Sequence, residues 1–259
     1  VKTIWITGAS SGIGEALALE YSKRGYNLIL SARTETVLEK VKSMCSSQNI
    51  EILPLDLSNY NDFDSLAKKA WALFDGIDLL INNGGISQRS LSFETSISVD
   101  EKLMQVNYLG TVALTKAVLP LMLERRCGHI ATVSSMVGKF GTPMRSSYAA
   151  SKHALHGFMD SLRAEVATFG IDVSLVCPGF VQTNVSLNAL VGDGKVQGTM
   201  DTTTDNGIKA SVFAVKMIKA LDARKAEVRI AGLKENFGYY LSKFFPSLFR
   251  KLVRKIAVT

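Results

Sequence analysis

The stretch "TIWITGASSGIG", residues 3–14, decides how this chain folds. Its first five residues read as a β-strand, and its last three open a helix-length segment over 12–25. Between them, Gly8, Gly12 and Gly14 follow a GxxxGxG spacing. Glycine permits a tight turn, lets the backbone approach a phosphate, and lets a helix pack near the strand it follows. A helix starting there offers unpaired N–H groups and a positive dipole end to an anion such as a pyrophosphate. Ser10 and Ser11 add hydroxyl donors, and Ile13 lies between the last two glycines. A ligand-free strand-to-helix turn is the alternative. Position on the first strand–helix unit is what points to a nucleotide.

Outward from this unit the same alternation continues. Strand-like runs recur at 27–32, 50–56, 77–83, 129–135, 171–177 and 226–232. Helix-length segments lie between most of them, at 35–47, 62–75, 100–126, 147–169 and 206–224. Several runs are continuously apolar, as expected of a sheet covered on both faces. The pattern predicts an α/β fold: a Rossmann-type, doubly wound, parallel seven-stranded sheet with helices on both faces. Residues 1–235 read as a single domain and 236–259 as a tail. The segment 184–205, "NVSLNALVGDGKVQGTMDTTTD", is long, polar and glycine-containing, and reads as a substrate loop.

Composition narrows the possibilities. With 259 residues, 47% of them hydrophobic, the chain can bury a core without disulfides. Cys45, Cys127 and Cys177 form no CxxC pair, which predicts free thiols, no metal site and a reducing, cytoplasmic setting. His129, His153 and His156 lack the acidic partners of a metal cluster. The net charge is +7, but Lys243, Arg250, Lys251, Arg254 and Lys255 supply five positive charges in an acid-free tail. The remainder is nearly balanced, so no nucleic-acid partner is expected. No continuous apolar run reaches a membrane span; with the first strand beginning almost at Val1 no signal peptide is expected within this sequence, and the missing initiator Met leaves an upstream segment open.

Two further signals concern chemistry. The second strand ends "LILSART", with Arg33 where an acid would bind a ribose 2′-hydroxyl. A guanidinium there suits a 2′-phosphate and favours NADP(H) over NAD(H); a solvated loop arginine is the alternative. In "RSSYAASKHAL" (145–155), Tyr148 and Lys152 stand one helical turn apart. An ammonium near a phenol favours the phenolate and fits the tyrosine for proton exchange with a carbonyl or alcohol oxygen. Ser135, ending the strand "TVSSM", falls on the same carboxyl edge of the sheet and can hydrogen-bond the same oxygen.

These motifs stand in a fixed order: "TGASSGIG" (7–14), "LDLS" (55–58), "NNGG" (82–85), "VNYLG" (106–110), "VSS" (133–135), "YAASK" (148–152) and "PGFVQT" (178–183). From residue 3 to about 232 the chain resembles the short-chain dehydrogenase/reductase family. The resemblance implies Tyr148 as general acid/base, Ser135 as the residue positioning the carbonyl, and Lys152 as the group that lowers the phenol and binds the nicotinamide ribose. It implies that Asn107 holds a water relaying protons through Lys152. For the cofactor it implies the glycine loop, Asp56 and Leu57 beside the adenine, and Asn83, Gly84 and Gly85 near the adenosine ribose. Pro178, Gly179, Val181 and Thr183 would line the nicotinamide end. Gly84 stands where the family usually has alanine, a departure expected to loosen packing slightly.

Within the family, "RSSYAASKHAL", "DTTTDNG" and "ALTKAVLPLM" are similar to the dehydrogenase/reductase member-seven and 11β-hydroxysteroid dehydrogenase-like groups. That likeness implies NADPH-dependent interconversion of a ketone or aldehyde and an alcohol, on a lipophilic small molecule. It implies a homodimer or homotetramer. A 3-oxoacyl-carrier-protein reductase and a non-catalytic NADP(H) sensor are the rival readings; the intact Asn107, Ser135, Tyr148 and Lys152 weigh against the sensor. In the tail, Phe237, Tyr240, Leu241, Phe244, Phe245, Leu248, Phe249, Leu252, Val253 and Ile256 recur at helical steps, interrupted by Pro246. This stripe either packs on the body or a second subunit, or lies on an anionic membrane surface as a peripheral contact.

Overall fold

The structure is a computed structural model, and it describes residues 1–255. Seven parallel strands form one sheet. They are β1 (Thr3–Thr7), β2 (Asn27–Ser31), β3 (Ile50–Ile52), β4 (Leu79–Asn82), β5 (Gly128–Val133), β6 (Ile171–Pro178) and β9 (Glu227–Ile230). Their spatial order is β3-β2-β1-β4-β5-β6-β9, so the chain runs outward from β1 in one direction and then in the other. The reversal at β1/β4 opens a crevice at the carboxyl ends of the strands, where open α/β sheets bind ligands.

Strand residues alternate between two cores. Ile4, Ile6, Leu28, Leu30, Leu79 and Ile81 face one side. There they meet Leu17, Ala18 and Tyr21 of α1 (Gly12–Lys23), Leu38 and Val41 of α2 (Glu35–Met44), and Phe213, Met217 and Ile218 of α8 (Ala210–Asp222). Trp5, Ile29, Leu80 and Ile130 face the other side. Their partners are Phe63 and Ala67 of α3 (Phe63–Leu73), Leu114 and Val118 of α5 (Gly110–Arg125), and Met159 and Leu162 of α6 (Ser146–Glu165). Each fully buried Leu, Ile or Phe contributes about 1.5–3 kcal/mol. That two-sided burial is why the strands read as continuously apolar.

The boundaries differ from expectation at informative places. The strand expected over 50–56 has regular form only to Ile52, although Leu53 and Leu55 still donate to the Leu30 and Ala32 carbonyls at 3.0 and 3.1 Å. The helix expected from residue 100 begins at Ile97, with α4 (Ile97–Met104) joined to α5 through a π-helical turn, Gln105–Leu109. By length and composition Ile97–Arg125 could cross a membrane, but half of its most apolar window is buried in the protein, and α5 packs on α3 as a core helix. The segment after β6 is folded rather than loose. β7 (Val181–Gln182) pairs with β8 (Ile208–Lys209), and a short α7 (Thr202–Asp205) lies between them. This pairing delays the helix expected at 206 to Ala210.

The tail forms α9 (Leu233–Phe244) and α10 (Pro246–Leu252), broken at Pro246 as its fixed φ requires. The apolar stripe divides. Phe249 is buried with its ring 5.2 Å from that of Phe140, and Tyr239 packs on the body. Phe237, Tyr240, Phe244, Phe245, Leu248 and Leu252 face outward. Ile256 lies outside the described residues.

Candidate active site

The glycine turn is built as its sequence requires. Gly8 and Gly12 hold left-handed backbone at φ +65° and +59°. A Cβ on Gly14 would stand 2.1 Å from the Gly8 carbonyl oxygen, so only glycine lets α1 start this close to β1. The side chain of Ser11, the residue capping α1, makes no cap bond, leaving that role open at the helix N-terminus. A cleft of about 400 Å3 beside the turn is lined by Ser11, Gly12, Thr183 and Asn184 among others. Positive-φ glycines, an open helix start and an adjoining cleft fit the pyrophosphate of a dinucleotide.

Around this turn some expected contacts are present and others are redirected. Arg33 and Asp56 both stand exposed at the carboxyl edge, beyond β2 and β3, and the Arg33 charge reaches Asp56. Asp56 closes a small turn by accepting from the N–H and Oγ of Ser58, both at 2.8 Å. Burial raises its pKa, but those hydrogen bonds outweigh it and hold the carboxyl below its ordinary value, with help from Lys102 and Arg33. Leu57 is buried, and its Cδ1 lies 2.7 Å from where a Cβ on Gly84 would be. The glycine at 84 therefore does not loosen the packing as expected: Leu57 occupies the space.

Asn83 does not turn toward a ribose. Its amide donates to the carbonyls of Thr7 (3.1 Å) and Gly8 (3.3 Å), bracing the glycine turn from β4. Val181 likewise packs in the core instead of lining the cleft, because its strand β7 is pinned by β8. Pro178 is buried at the end of β6, and Gly179 lies against Ala231 and Glu235. Thr183 covers the glycine turn, its Cγ2 2.8 Å from where a Cβ on Gly12 would be. Gly85 faces Asn107 and Lys152.

Ser135, Tyr148 and Lys152 meet at the carboxyl edge of β5. The Ser135 hydroxyl stands close enough to the Tyr148 phenol to lower its pKa, and it accepts from the Val137 N–H at 3.3 Å. Lys152 is buried, donates to the Val133 carbonyl at 2.9 Å, and stands 5.8 Å from the centre of the Tyr148 ring. Burial brings the ammonium down to about 8. The expected effect of Lys152 on the phenol is not what this geometry gives. Burial raises the Tyr148 phenol, and what opposes that rise is the Ser135 hydrogen bond and the guanidinium charges of Arg145 and Arg89. Lys152 is engaged by a backbone carbonyl instead.

Asn107, in the π-helical turn, is also differently engaged. Its Oδ1 accepts from the Ile86 N–H (2.8 Å), and its two amide protons go to the Ile86 carbonyl and Ser151 Oγ, each at 3.0 Å. With both donors spent, the side chain braces the loop after β4 against α6. Any water held by Asn107, as the resemblance implies, would be held by something other than its side-chain N–H groups.

Four residues of the site escaped the sequence reading. Arg89, buried, meets Asp201 through both Nε (2.7 Å) and a terminal nitrogen (2.6 Å). Arg145 approaches the same carboxylate at 3.5 Å. Gln88 reaches the start of α6. The only sequence signal was a polar run, "SQRS" (87–90), directly after "NNGG"; its partners lie up to 112 residues away. The segment 184–205 is thereby tied down: Asp201 pairs with Arg89, and Leu190 exchanges backbone hydrogen bonds with Ser87 and Arg89, both at 2.8 Å. Elsewhere, the three cysteines are free thiols, and no metal-binding group of three ligands occurs among the described residues.

Comparison with known proteins gives a consistent result. The family model described as short chain dehydrogenase matches residues 2–190. A Drosophila melanogaster protein named dehydrogenase/reductase SDR family protein 7-like is 42% identical, covering 99% of this chain and 81% of that protein. Human dehydrogenase/reductase SDR family member 7 is 50% identical over 73% of this chain and 58% of its own length. A short-chain dehydrogenase from Streptomyces avermitilis is 29% identical and superposes with a TM-score of 0.82, covering 98% of this chain and 96% of that one.

Proposed function

The chain belongs to the short-chain dehydrogenase/reductase family of oxidoreductases, and on that premise we propose that it interconverts a carbonyl compound and an alcohol with NADP(H). The observation that carries this is the convergence of Ser135, Tyr148 and Lys152, whose Nζ lies 5.8 Å from the Tyr148 ring centre, at the sheet edge that also holds the glycine turn. Gly8, Ser10, Ser11, Gly12, Ile13 and Gly14 would hold the pyrophosphate, and Arg33 the 2′-phosphate. When bound, a nicotinamide nucleotide supplies or accepts the hydride.

The chain's own residues handle the proton and the oxygen. A phenol raised by burial stays protonated at neutral pH, as a donor to a developing alkoxide must. Ser135 Oγ, already within reach of that phenol, is a second donor toward the same oxygen. The guanidinium charges of Arg145 and Arg89 add positive charge beside them. The segment 184–205, anchored at Leu190 and Asp201, limits water over the site. A lipophilic substrate is what the likeness of "RSSYAASKHAL" and "DTTTDNG" to the member-seven group implies.

NADPH and NADH consumption over a panel of aldehydes and ketones tests this directly. Arg33→Ser is expected to raise the NADPH KM about tenfold while leaving the NADH KM within about twofold, since a charge-assisted bond contributes on the order of 1.5 kcal/mol. Equal effects on both nucleotides would reject the 2′-phosphate contact.

The outward face of α9 and α10 supports a peripheral membrane contact. Phe244 and Phe245 are each 63% exposed, next to Lys243 and Arg250. Flotation with phosphatidylserine vesicles is the measurement. Replacing both phenylalanines with Ser is expected to abolish flotation, and undiminished flotation would remove the idea.

A further inference from the structure

We propose that Gln88 is a positioning residue for Tyr148, acting as the N-terminal cap of the helix that carries it. This rests on the reading of Tyr148 as proton donor. A helix leaves its first N–H groups without partners, and a Ser, Thr, Asp or Asn at its start ordinarily accepts from them. The N-cap position of α6 is Arg145, whose side chain makes no cap bond. Gln88 supplies the acceptor from about sixty residues earlier in the chain: its Oε1 takes the N–H of Ser147 at 2.9 Å and of Tyr148 at 3.2 Å.

Gln88 is itself held firmly. It is fully buried, and its Nε2 lies within hydrogen-bond range of Thr95 Oγ1 (3.0 Å), Ser90 Oγ (3.3 Å) and Ser146 Oγ (3.4 Å). Its backbone bridges to Leu190. Neighbouring contacts fix the same turn: the Ser90 N–H donates to the Met144 carbonyl at 3.2 Å, and Ser147 Oγ donates to Asp100. Met144 sits at φ +61°, a conformation rare for such a residue, and the Ser90 bond holds it there. Gln88 thus ties the loop after β4 to the start of α6 through its side chain, and that loop to the segment 184–205 through its backbone. A rigidly placed first turn matters because a misplacement of about 1 Å can cost roughly 100-fold in rate.

Two variants separate capping from mere packing. Gln88→Leu keeps the volume and loses the acceptor. Gln88→Glu keeps the acceptor oxygen and replaces the amide nitrogen with a second oxygen, to which the Ser and Thr hydroxyls can turn to donate. Amide hydrogen exchange at Ser147 and Tyr148 is the first readout, and turnover of nitrobenzaldehyde with NADPH is the second. For Gln88→Leu the expected result is exchange about tenfold faster at those two amides, and kcat lower by about 10- to 100-fold. KM for nitrobenzaldehyde and affinity for NADPH should stay within about threefold, because the groups that bind them are elsewhere. Gln88→Glu should restore both exchange and most of kcat. Wild-type exchange and kcat in the leucine variant would overturn the assignment, as would equal losses in both variants. Should the wild-type chain leave nitrobenzaldehyde unreduced, the proton-donor reading is what fails, and exchange alone then decides the cap.

Discussion

Replacing Tyr148 with Phe is expected to remove turnover, by about a thousandfold or more in kcat, while NADPH affinity stays within about twofold. The substitution deletes one hydroxyl and keeps the ring, so the surrounding packing survives. What disappears is the one phenol that meets Ser135 at the edge of the sheet. A general acid contributes about 10²- to 10⁴-fold, and the Ser135 hydroxyl, an aliphatic alcohol and so a far weaker acid than a phenol, does not replace it. Ser135 also has another commitment, accepting from the Val137 N–H.

The direction of the Tyr148 pKa extends this prediction to pH. Because burial raises the phenol above its ordinary value, carbonyl reduction should hold steady through neutral pH. It should decline only in the alkaline range, as the proton to be donated is lost. Alcohol oxidation begins from the phenolate, so its rate should climb over that same range. NADPH consumption and NADP+ reduction across pH measure the two arms. Substantial turnover by Tyr148→Phe, or reduction that accelerates toward high pH, would assign the proton to another group.

Asp201→Asn is expected to lower stability by about 3–5 kcal/mol, the usual result of breaking a buried ion pair. Arg89 and Asp201 are only 3% and 2% exposed at their side chains and lie 2.6 Å apart. Removing one charge leaves a buried guanidinium without its counter-ion, and Arg145, which shares the carboxylate at 3.5 Å, adds like-charge repulsion. Gln197 also donates to Asp201 at 3.0 Å, and Ser186 Oγ accepts from the Asp201 N–H. The loss therefore spreads along the segment 184–205. Urea unfolding midpoints give the magnitude, with limited proteolysis of that segment as a second measure. The double replacement Arg89→Met, Asp201→Leu should recover much of the loss, since apolar residues of similar size can replace a buried pair. A shift within about 0.5 kcal/mol for Asp201→Asn would mean that the pair is not buried in solution.

Much of the site was legible because its signals are local. The glycine spacing at 8, 12 and 14, the strand-end Ser135, and Tyr148 and Lys152 one helical turn apart are each determined within a few residues. The strand positions followed from apolar runs, which place each strand but overrun its ends, as at 50–56 and 77–83. The redirected side chains are of another kind. Asn83, Asn107 and Val181 sit where the motif places them, yet nearby backbone groups and core space capture their side chains.

The sequence by itself determined the parallel sheet, the order of strand and helix, and the positions that could bear a phosphate, a hydride or a proton, because local spacing on strands and helices sets which side chains share an edge. Only the tertiary structure decided which groups set the charge around Tyr148 and hold its helix in place. Arg89, Asp201 and Gln88 work through partners 59 to 112 residues distant. A Coulomb interaction or a borrowed cap depends on distance through space, which separation along the chain does not encode.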